Sequence, residues 1–280
     1  MMAAALADTD FAFVAREVKA RSGLVLTAEK SYLLETRLAP IARKESLASV
    51  AELAAAARLR RDERLIWQIT DALTTSETQF FRDKAPFALL RDHVIPHLQQ
   101  AEPQRRLRIW CAATSTGQEA FSLAMMLDDL RAEGRGVDAE IIATDISERL
   151  LEKARAGLFT QFEVQRGLPI RTLIRHFEKV GDLWRIADRI RAMVRFQRFN
   201  LLDDLRPLGM FDIVLCRNVL CYFAPEQQRD TLERIAAQMR DEGALVLGAG
   251  ESTVGVSDAF APEGGFYRRL DPRRAAARVA

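Results

Sequence analysis

The 280-residue sequence is short of the residues that build metal centres, disulfide frameworks and loose chain: 3 Cys, 3 His, 14 Gly and 9 Pro. So little Gly and Pro, beside 49% apolar and 29% charged residues, excludes collagen-like and disordered classes and leaves an ordinary globular protein. Cys111, Cys216 and Cys221 are odd in number, form no CxxC and sit in apolar surroundings, which fits a reducing compartment rather than a disulfide scaffold. His93 and His97 stand four apart, but Pro96 between them distorts the helical geometry a zinc pair would use, and no metal is expected. An excess of one charge is lacking as well. Lys plus Arg total 41 against 39 Asp plus Glu, and a net charge of +2 gives no sustained field for a phosphate backbone or anionic lipid, so no nucleic acid is expected as a partner. The opening MMAAALADTD is short and has no basic n-region, so it reads as neither signal peptide nor membrane span, and a cytoplasmic protein without direct membrane insertion is expected.

What is present divides into two patterns, as the length suggests. Residues 1–85 read as an all-α N-terminal domain, a small helical bundle. DTDFAFVAREVKARSG places Phe11, Val14 and Val18 on one stripe, with Thr9 and Asp10 as N-cap candidates and Gly23 as the stop. Thr27 opens a second helix with Leu33, Leu34, Leu38 and Ile41 inward, Ser46 opens an alanine-rich third, and RLIWQITDAL forms a fourth. After Pro103 the period changes. Residues 107–113, 140–146, 194–201, 211–219 and 243–250 are short runs rich in β-branched and aromatic residues, mostly separated by helical stretches. That alternation predicts an α/β domain over 86–280, a doubly wound parallel sheet whose ligands bind beyond the strands' C-terminal ends. The long interval before Val194, punctuated by Gly157, Gly167, Pro169 and Gly181, predicts a lobe inserted at about 160–192, with DLWRIADRIR as its hairpin or, in its second half, a helix.

Candidate chemistry gathers at the predicted strand ends. CAATSTGQEAFSLAMML is a small-residue turn running into a helix, suited to a nucleotide or an amino-acid carboxylate, but with Gly117 alone it has no GxGxxG and does not support a nicotinamide dehydrogenase. Asp145 ends the second strand, where a carboxylate accepts both hydroxyls of a ribose or else caps the helix beginning at Ser147. Asn200 and Leu201 follow the third strand and Arg217 and Asn218 the fourth; the plainer readings are that Asn200 caps a turn and Arg217 pairs with a carboxylate. In ALTTSETQFFRDKAPF, Thr74 with Glu77 fits a capping box and Phe80 and Phe81 fit packing where domains meet, while the hydroxyl-rich turn into Arg82 suits a ligand's α-carboxylate.

The ordered set TTSETQFFR, IWCAATSTGQEAFSLAM, ATDIS, FNL, FDIVLCRNVLCYF and LGAGES resembles the chemotaxis receptor glutamate methyltransferases, the CheR family, over nearly the whole chain. The resemblance implies a Rossmann-like class I methyltransferase sheet with a small inserted β-subdomain, S-adenosyl-L-methionine as cofactor and S-adenosyl-L-homocysteine as product. It implies methyl transfer to glutamates of methyl-accepting chemotaxis receptors, in their cytoplasmic helical bundle, by a protein expected to be a monomer. By the same resemblance Ser76, Thr78 and Arg82 form one wall of the cofactor site, Glu119 meets the amino group, Asp145 the ribose, and Asn200, Leu201, Asn218 and Val219 the remainder. Arg82 and Tyr222 are implied at the reacting centre. The sequence departs from the family where Ser76 replaces a usual Asn, Gln79 and Phe121 a usual Tyr, and Gln118, Glu119 and Ala120 a usual Glu-Glu-Pro; Ser76 keeps hydrogen-bonding ability with shorter reach.

A methyltransferase acting on a base or amine would commonly carry an Asn/Asp-Pro-Pro-aromatic turn where Arg217, Asn218 and Val219 stand, and a non-catalytic cofactor or receptor binder would not need Arg82, Glu119, Asp145 and Tyr222 intact. A final expectation concerns docking. Arg37 and Arg43, with Lys44, Arg58, Arg60, Arg61 and Arg64 nearby, form a basic run on the helical domain that would attract an acidic receptor helix, diluted by Glu35, Glu45, Asp62 and Glu63.

Overall fold

The computed structural model describes residues 7–27, 31–74 and 76–270, without the side chains of residues 31–33. Two compact units result: residues 1–75 with 222–227, and residues 76–221 with 228–280.

The first unit holds α1 (Asp8–Ser22), α2 (Ser31–Lys44), α3 (Val50–Arg60) and α4 (Glu63–Leu73). Val14, Val18, Leu34, Leu38, Leu53, Ile66 and Ile69 fill its core, and Ala54 and Ala57 let α3 approach closely. Gly23 ends α1 as expected, at φ 78, with its N–H on the Lys19 carbonyl; the Phe223 ring fills the space a Cβ would need. The start of α1 differs from the expected cap. Ala7 is the N-cap and makes no side-chain bond, while Asp10 lies within the first turn, where it accepts from Arg58 Nε at 2.7 Å. Ser46 does not open α3 either: it takes a left-handed φ of 58, and Ser49 caps the helix by accepting from the Glu52 amide. The opening of α2 after Thr27 and the inward placement of Leu33 lie outside the described residues.

Two further expectations are corrected in this unit. Thr74 closes α4 instead of opening a helix with Glu77, its hydroxyl donating to the Asp71 carbonyl at 2.7 Å, and residues 76–79 lie in no helix. Arg37 is half-buried and donates to the carbonyls of Leu73 and Thr74 at 2.9 and 3.1 Å. Its guanidinium serves the orphan carbonyls at the end of α4, so it is not a free surface cation. Arg43 is exposed.

The second unit begins with α5 (Ala85–Leu89), a π-helical turn (Leu90–Val94) and α6 (Ile95–Ala101), and then alternates strand and helix. β1 (Leu107–Ala112), α7 (Gln118–Ala132), β2 (Ala139–Asp145) and α8 (Glu148–Ala156) come first. β3 (Leu158–Thr160), α9 (Gln161–Gln165), α10 (Ile170–His176), β4 (Phe177–Val180), β5 (Leu183–Ile186) and α11 (Asp188–Arg191) follow. β6 (Val194–Arg198), β7 (Phe211–Cys216), α12 (Pro225–Ala237), β8 (Met239–Leu247), β9 (Phe260–Glu263) and β10 (Phe266–Arg269) complete the chain. The first three residues of α12 group with the helical unit.

The main sheet has the order β6-β2-β1-β7-β8-β10-β9. β6, β2, β1, β7 and β8 are mutually parallel; β10 and β9 extend the sheet antiparallel. Every residue of β7 is buried, as expected of a central strand covered on both faces. Leu107, Ile109, Cys111, Ile141, Ile213, Leu215 and Val246 meet Phe121, Leu123, Ala124 and Leu127 of α7 in one core.

The stretch read as an inserted lobe contains a separate antiparallel sheet, β3-β5-β4, with α9, α10 and α11 around it. It is bound closely to the segment before α5. Phe80 has no exposed surface; its ring meets Phe159 and Phe177 edge-on at 5.0 and 5.5 Å. Gly167 takes φ +95, and a Cβ there would overlap the Phe80 carbonyl oxygen. Arg166 donates to Glu77 at 3.1 Å.

Candidate active site

The chain passes from β1 outward to β2 and β6 on one side, then returns to build β7 and β8 on the other. The C-terminal ends of β1 and β7 therefore flank the point where strand order reverses, the place where parallel α/β sheets open a crevice for ligands.

After β1 the chain must turn within a few residues into α7. Ala113, Ser115 and Gly117 do so at φ 52, 54 and 89, and a Cβ on Gly117 would press on Ala154, Phe196 and Phe121 at 3.0 to 3.2 Å. Asp145, buried at the end of β2, joins two turns: Oδ2 accepts the Ser115 amide at 2.8 Å and Oδ1 the Ser147 amide at 2.9 Å. Ser147 itself caps α8, its hydroxyl accepting from the Leu150 amide. A carboxylate has about four acceptor positions, so two amide bonds are compatible with hydroxyl donors as well. The Ser115 hydroxyl donates to the Ser76 carbonyl at 2.9 Å, bringing the segment before Arg82 against the same turn.

A second network surrounds Arg217, whose side chain is only 1% exposed. Nη1 donates to Glu119 Oε2 at 2.8 Å; Nη2 donates to Asp83 Oδ2 at 2.5 Å and to the Arg82 carbonyl at 3.1 Å; Nε is buried with no partner among the described residues. The pairing with carboxylates, one of the two readings open for Arg217, is thus present. The turn it grips is unusual, with Phe81, Asp83 and Lys84 at φ 46, 65 and 43. Non-glycine residues in this region cost about 1–3 kcal/mol each unless their surroundings hold them there. Phe81 is also fixed by its amide, which donates to Ser122 Oγ at 2.9 Å. Arg82 is half-buried, with Nη1 3.4 Å from the Glu77 carbonyl. Burial pushes the Glu119 carboxyl above its ordinary value, against the pull of Arg217 and Arg82. Its second oxygen, Oε1, takes no hydrogen bond among the described residues.

The end of β7 is organised by a residue that sequence reasoning did not single out. Glu251 accepts four main-chain amides, those of Asn218 (2.7 Å), Gly248 (2.8 Å), Val219 (2.9 Å) and Cys221 (3.1 Å). Asn218 is thereby held at φ 59, and Gly248 has no room for a Cβ, which would lie 2.6 Å from Asn218 Nδ2 and 2.8 Å from Glu251 Oε2. The only signal in the sequence was the LGAGES run. Burial raises the Cys111 and Cys216 thiols well above their ordinary range; Cys221 is raised too, by burial and by Glu251.

The structure thus brings Arg82, Glu119, Asp145, Ser76, Asn218 and Val219 to the turns after β1, β2 and β7 or to the segment bonded to them. Thr78 is half-buried in that segment. Asn200 follows β6 and accepts the Leu202 amide at 3.1 Å, the turn-capping reading, with Leu201 buried beside it. Tyr222 ends the 3-10 turn Leu220–Tyr222, packs against the helical unit's core and accepts the Val25 amide on its carbonyl. Among the described residues no group of three His, Cys, Asp or Glu is arranged to hold a metal, and no helix is long and apolar enough to cross a membrane.

A doubly wound sheet with an acidic β2 end and no pyrophosphate-binding glycine motif has the features of the Rossmann-like, class I methyltransferases. Residues 76–266 match the family described as "CheR methyltransferase, SAM binding domain", and residues 9–74 match its "all-alpha domain". The chain belongs to the CheR methyltransferase family, and S-adenosylmethionine is its cofactor. A Vibrio parahaemolyticus protein named "Chemotaxis protein methyltransferase" is 37% identical over 263 residues, 93% of this chain and 95% of that one. "Chemotaxis protein methyltransferase 1" of Pseudomonas aeruginosa is 38% identical over 258 residues, 91% and 94% of the two chains. "Chemotaxis protein methyltransferase Cher2" of Pseudomonas putida is 38% identical over 242 residues, 85% and 88%. The residues present fit the cofactor's chemistry: the open Glu119 oxygen suits an ammonium, Arg82 a carboxylate and Asp145 a ribose diol.

Proposed function

We propose that this chain methylates glutamate side chains in the cytoplasmic helical bundles of methyl-accepting chemotaxis receptors, forming γ-glutamyl methyl esters that adjust sensory signalling. The observation that carries the reading is the match of both family domains in order, together with similarity over nearly the whole length to relatives named chemotaxis protein methyltransferases. The protein then works in the cytoplasm, as a monomer, without a metal.

Bound S-adenosylmethionine supplies a methyl group on a sulfonium, open to in-line attack by an acceptor carboxylate. The chain's own residues bind and orient. Glu119 holds the cofactor's ammonium through its open oxygen; Arg82, with Ser76 and Thr78, holds the carboxylate; Asp145 accepts from the ribose hydroxyls; and Asn200, Leu201, Asn218 and Val219 complete the pocket. Arg82 also orients the acceptor's oxygens. No general base is needed, because a glutamate with an ordinary pKa of about 4.3 is already ionised at neutral pH. Positioning within reach of the methyl is therefore the main catalytic contribution. Exposed Arg43 contributes to receptor docking.

The test is transfer of tritiated methyl from S-adenosylmethionine to receptor cytoplasmic fragments, followed by mild base. Label released as methanol supports a glutamyl ester; base-stable label on nitrogen, or none on the receptor fragments, refutes the proposal.

A further inference from the structure

Arg217 touches both halves of what the proposed function treats as the cofactor's amino-acid subsite. From the end of β7 it reaches Glu119, at the start of α7, and the turn of residues 81–84 that precedes α5. These contacts lie 98, 135 and 134 residues apart along the chain, so only the fold brings them to one guanidinium. That head group is planar, with donors in a fixed fork, and three of its N–H bonds are directed at three separate acceptors. The turn it grips bears three left-handed residues and presents Arg82 between two of them.

We propose that Arg217 is a positioning residue that makes one unit of the amino-acid subsite, orienting the Glu119 carboxylate while clamping the strained turn that presents Arg82. The proposal rests on the assignment of Glu119 and Arg82 to the cofactor. A lysine cannot replace it, because a single ammonium on a flexible stem does not reproduce the fork.

The clamp has an electrostatic consequence. Glu119 touches Arg217 and lies within electrostatic reach of Arg82, Glu251 and the thiols of Cys111 and Cys216. Burial raises its pKa and Arg217 lowers it by charge and by hydrogen bond. Only the ionised carboxylate attracts an ammonium, so affinity for S-adenosylhomocysteine is full above the Glu119 pKa and is lost as pH falls through it. Removing Arg217 takes away a lowering influence, and the midpoint of that loss must move to higher pH.

The experiment uses the full chain. Calorimetric affinity for S-adenosylhomocysteine is measured across pH, and amide hydrogen exchange of residues 81–84 is measured in the ligand-free protein. Arg217→Gln is expected to weaken binding at neutral pH by roughly tenfold or more, the scale of a lost charge-assisted hydrogen bond. Its midpoint should rise, and exchange at 81–84 should quicken. Arg217→Lys keeps a charge, so its midpoint should move less while exchange still quickens; it serves as well where Arg217→Gln does not fold. Asp83→Asn should quicken exchange and leave the midpoint in place. An unshifted midpoint with wild-type exchange in a folded Arg217 variant overturns the proposal. Glu119→Gln separates the two layers: wild-type affinity and pH profile in that variant remove the ammonium assignment and with it the Glu119 half of the clamp, while exchange at 81–84 in the Arg217 variants still decides the other half.

Discussion

At the N-terminal end of the parallel sheet, Asp212 of β7 is 1% exposed, like Arg217 at the C-terminal end of the same strand. The two are handled differently. Asp212 accepts from the Arg105 guanidinium and, at 2.7 Å, from the Arg108 amide, with Arg240 Nε 3.5 Å away. Arg108 in turn donates to Glu140 and to the carbonyls of Leu208 and Met210, and stacks over the Phe211 ring. Both oxygens of Asp212 are engaged within the protein. Each end leaves one guanidinium Nε buried without a partner among the described residues, on Arg105 and on Arg217, so the difference lies in the carboxylates: Glu119 Oε1 takes no hydrogen bond among the described residues. A buried carboxylate that spends both oxygens within the protein holds strands in register. One that leaves bonding capacity beside the crevice at the strands' C-terminal ends is suited to a ligand.

Substitution at the closed end should give the largest effect and should not touch affinity. Asp212→Ala leaves two guanidinium groups without their shared carboxylate and should lower stability to urea by about 3–5 kcal/mol, with S-adenosylhomocysteine affinity of the folded protein unchanged. Weakened binding by folded protein would mean the two ends are coupled. Asp145→Asn should act on both quantities at the open end: about 2 kcal/mol weaker cofactor binding by calorimetry, and about 1 kcal/mol of stability, because an amide oxygen replaces only part of what Asp145 accepts. Unchanged affinity would remove Asp145 from the ribose contact. Away from both ends, Arg43→Glu should be smallest, raising the KM for receptor fragments by about threefold or less at low ionic strength and not at all in high salt. A KM unchanged at low ionic strength would assign docking to another surface.

The strands were legible because each is a short β-branched and aromatic run with polar bounds; FDIVLC occupies β7 and LRIWCA β1. β8 begins earlier than its apolar run, since Arg240, Asp241 and Glu242 are exposed strand residues with no apolar pattern. β3 has three residues, too few for alternation to register. Caps were read less well. Ser46 and Ser49 offer the same hydroxyl chemistry, and only the tertiary fit of α3 chooses between them. At the site, Asp145 was legible from its place at the end of a strand, and Glu119 from the family resemblance alone. Asp83 and Glu251 were not, because what they do depends on partners brought together from distant parts of the chain. Arg37 looked like one of several basic surface residues, and nothing in the sequence marks the α4 carbonyls that hold it.

The contact of Gly167 with the Phe80 carbonyl has a consequence for how this chain can be taken apart. The lobe that contains Gly167 is an interruption in the order of the large sheet, and a designer comparing lengths would treat it as an accessory to be trimmed or exchanged. Phe80 stands two residues before Arg82, and its ring is sealed by Phe159 and Phe177 from that lobe. Excising the lobe would turn an interior aromatic toward water and release the strand of chain that leads into the strained turn. Exchange between relatives must therefore move residues 76–84 and the lobe as one cassette. In folding, too, residues 76–84 cannot settle until a chain segment some eighty residues later has been made and has closed over them, a long loop whose entropy is lost before its contacts form.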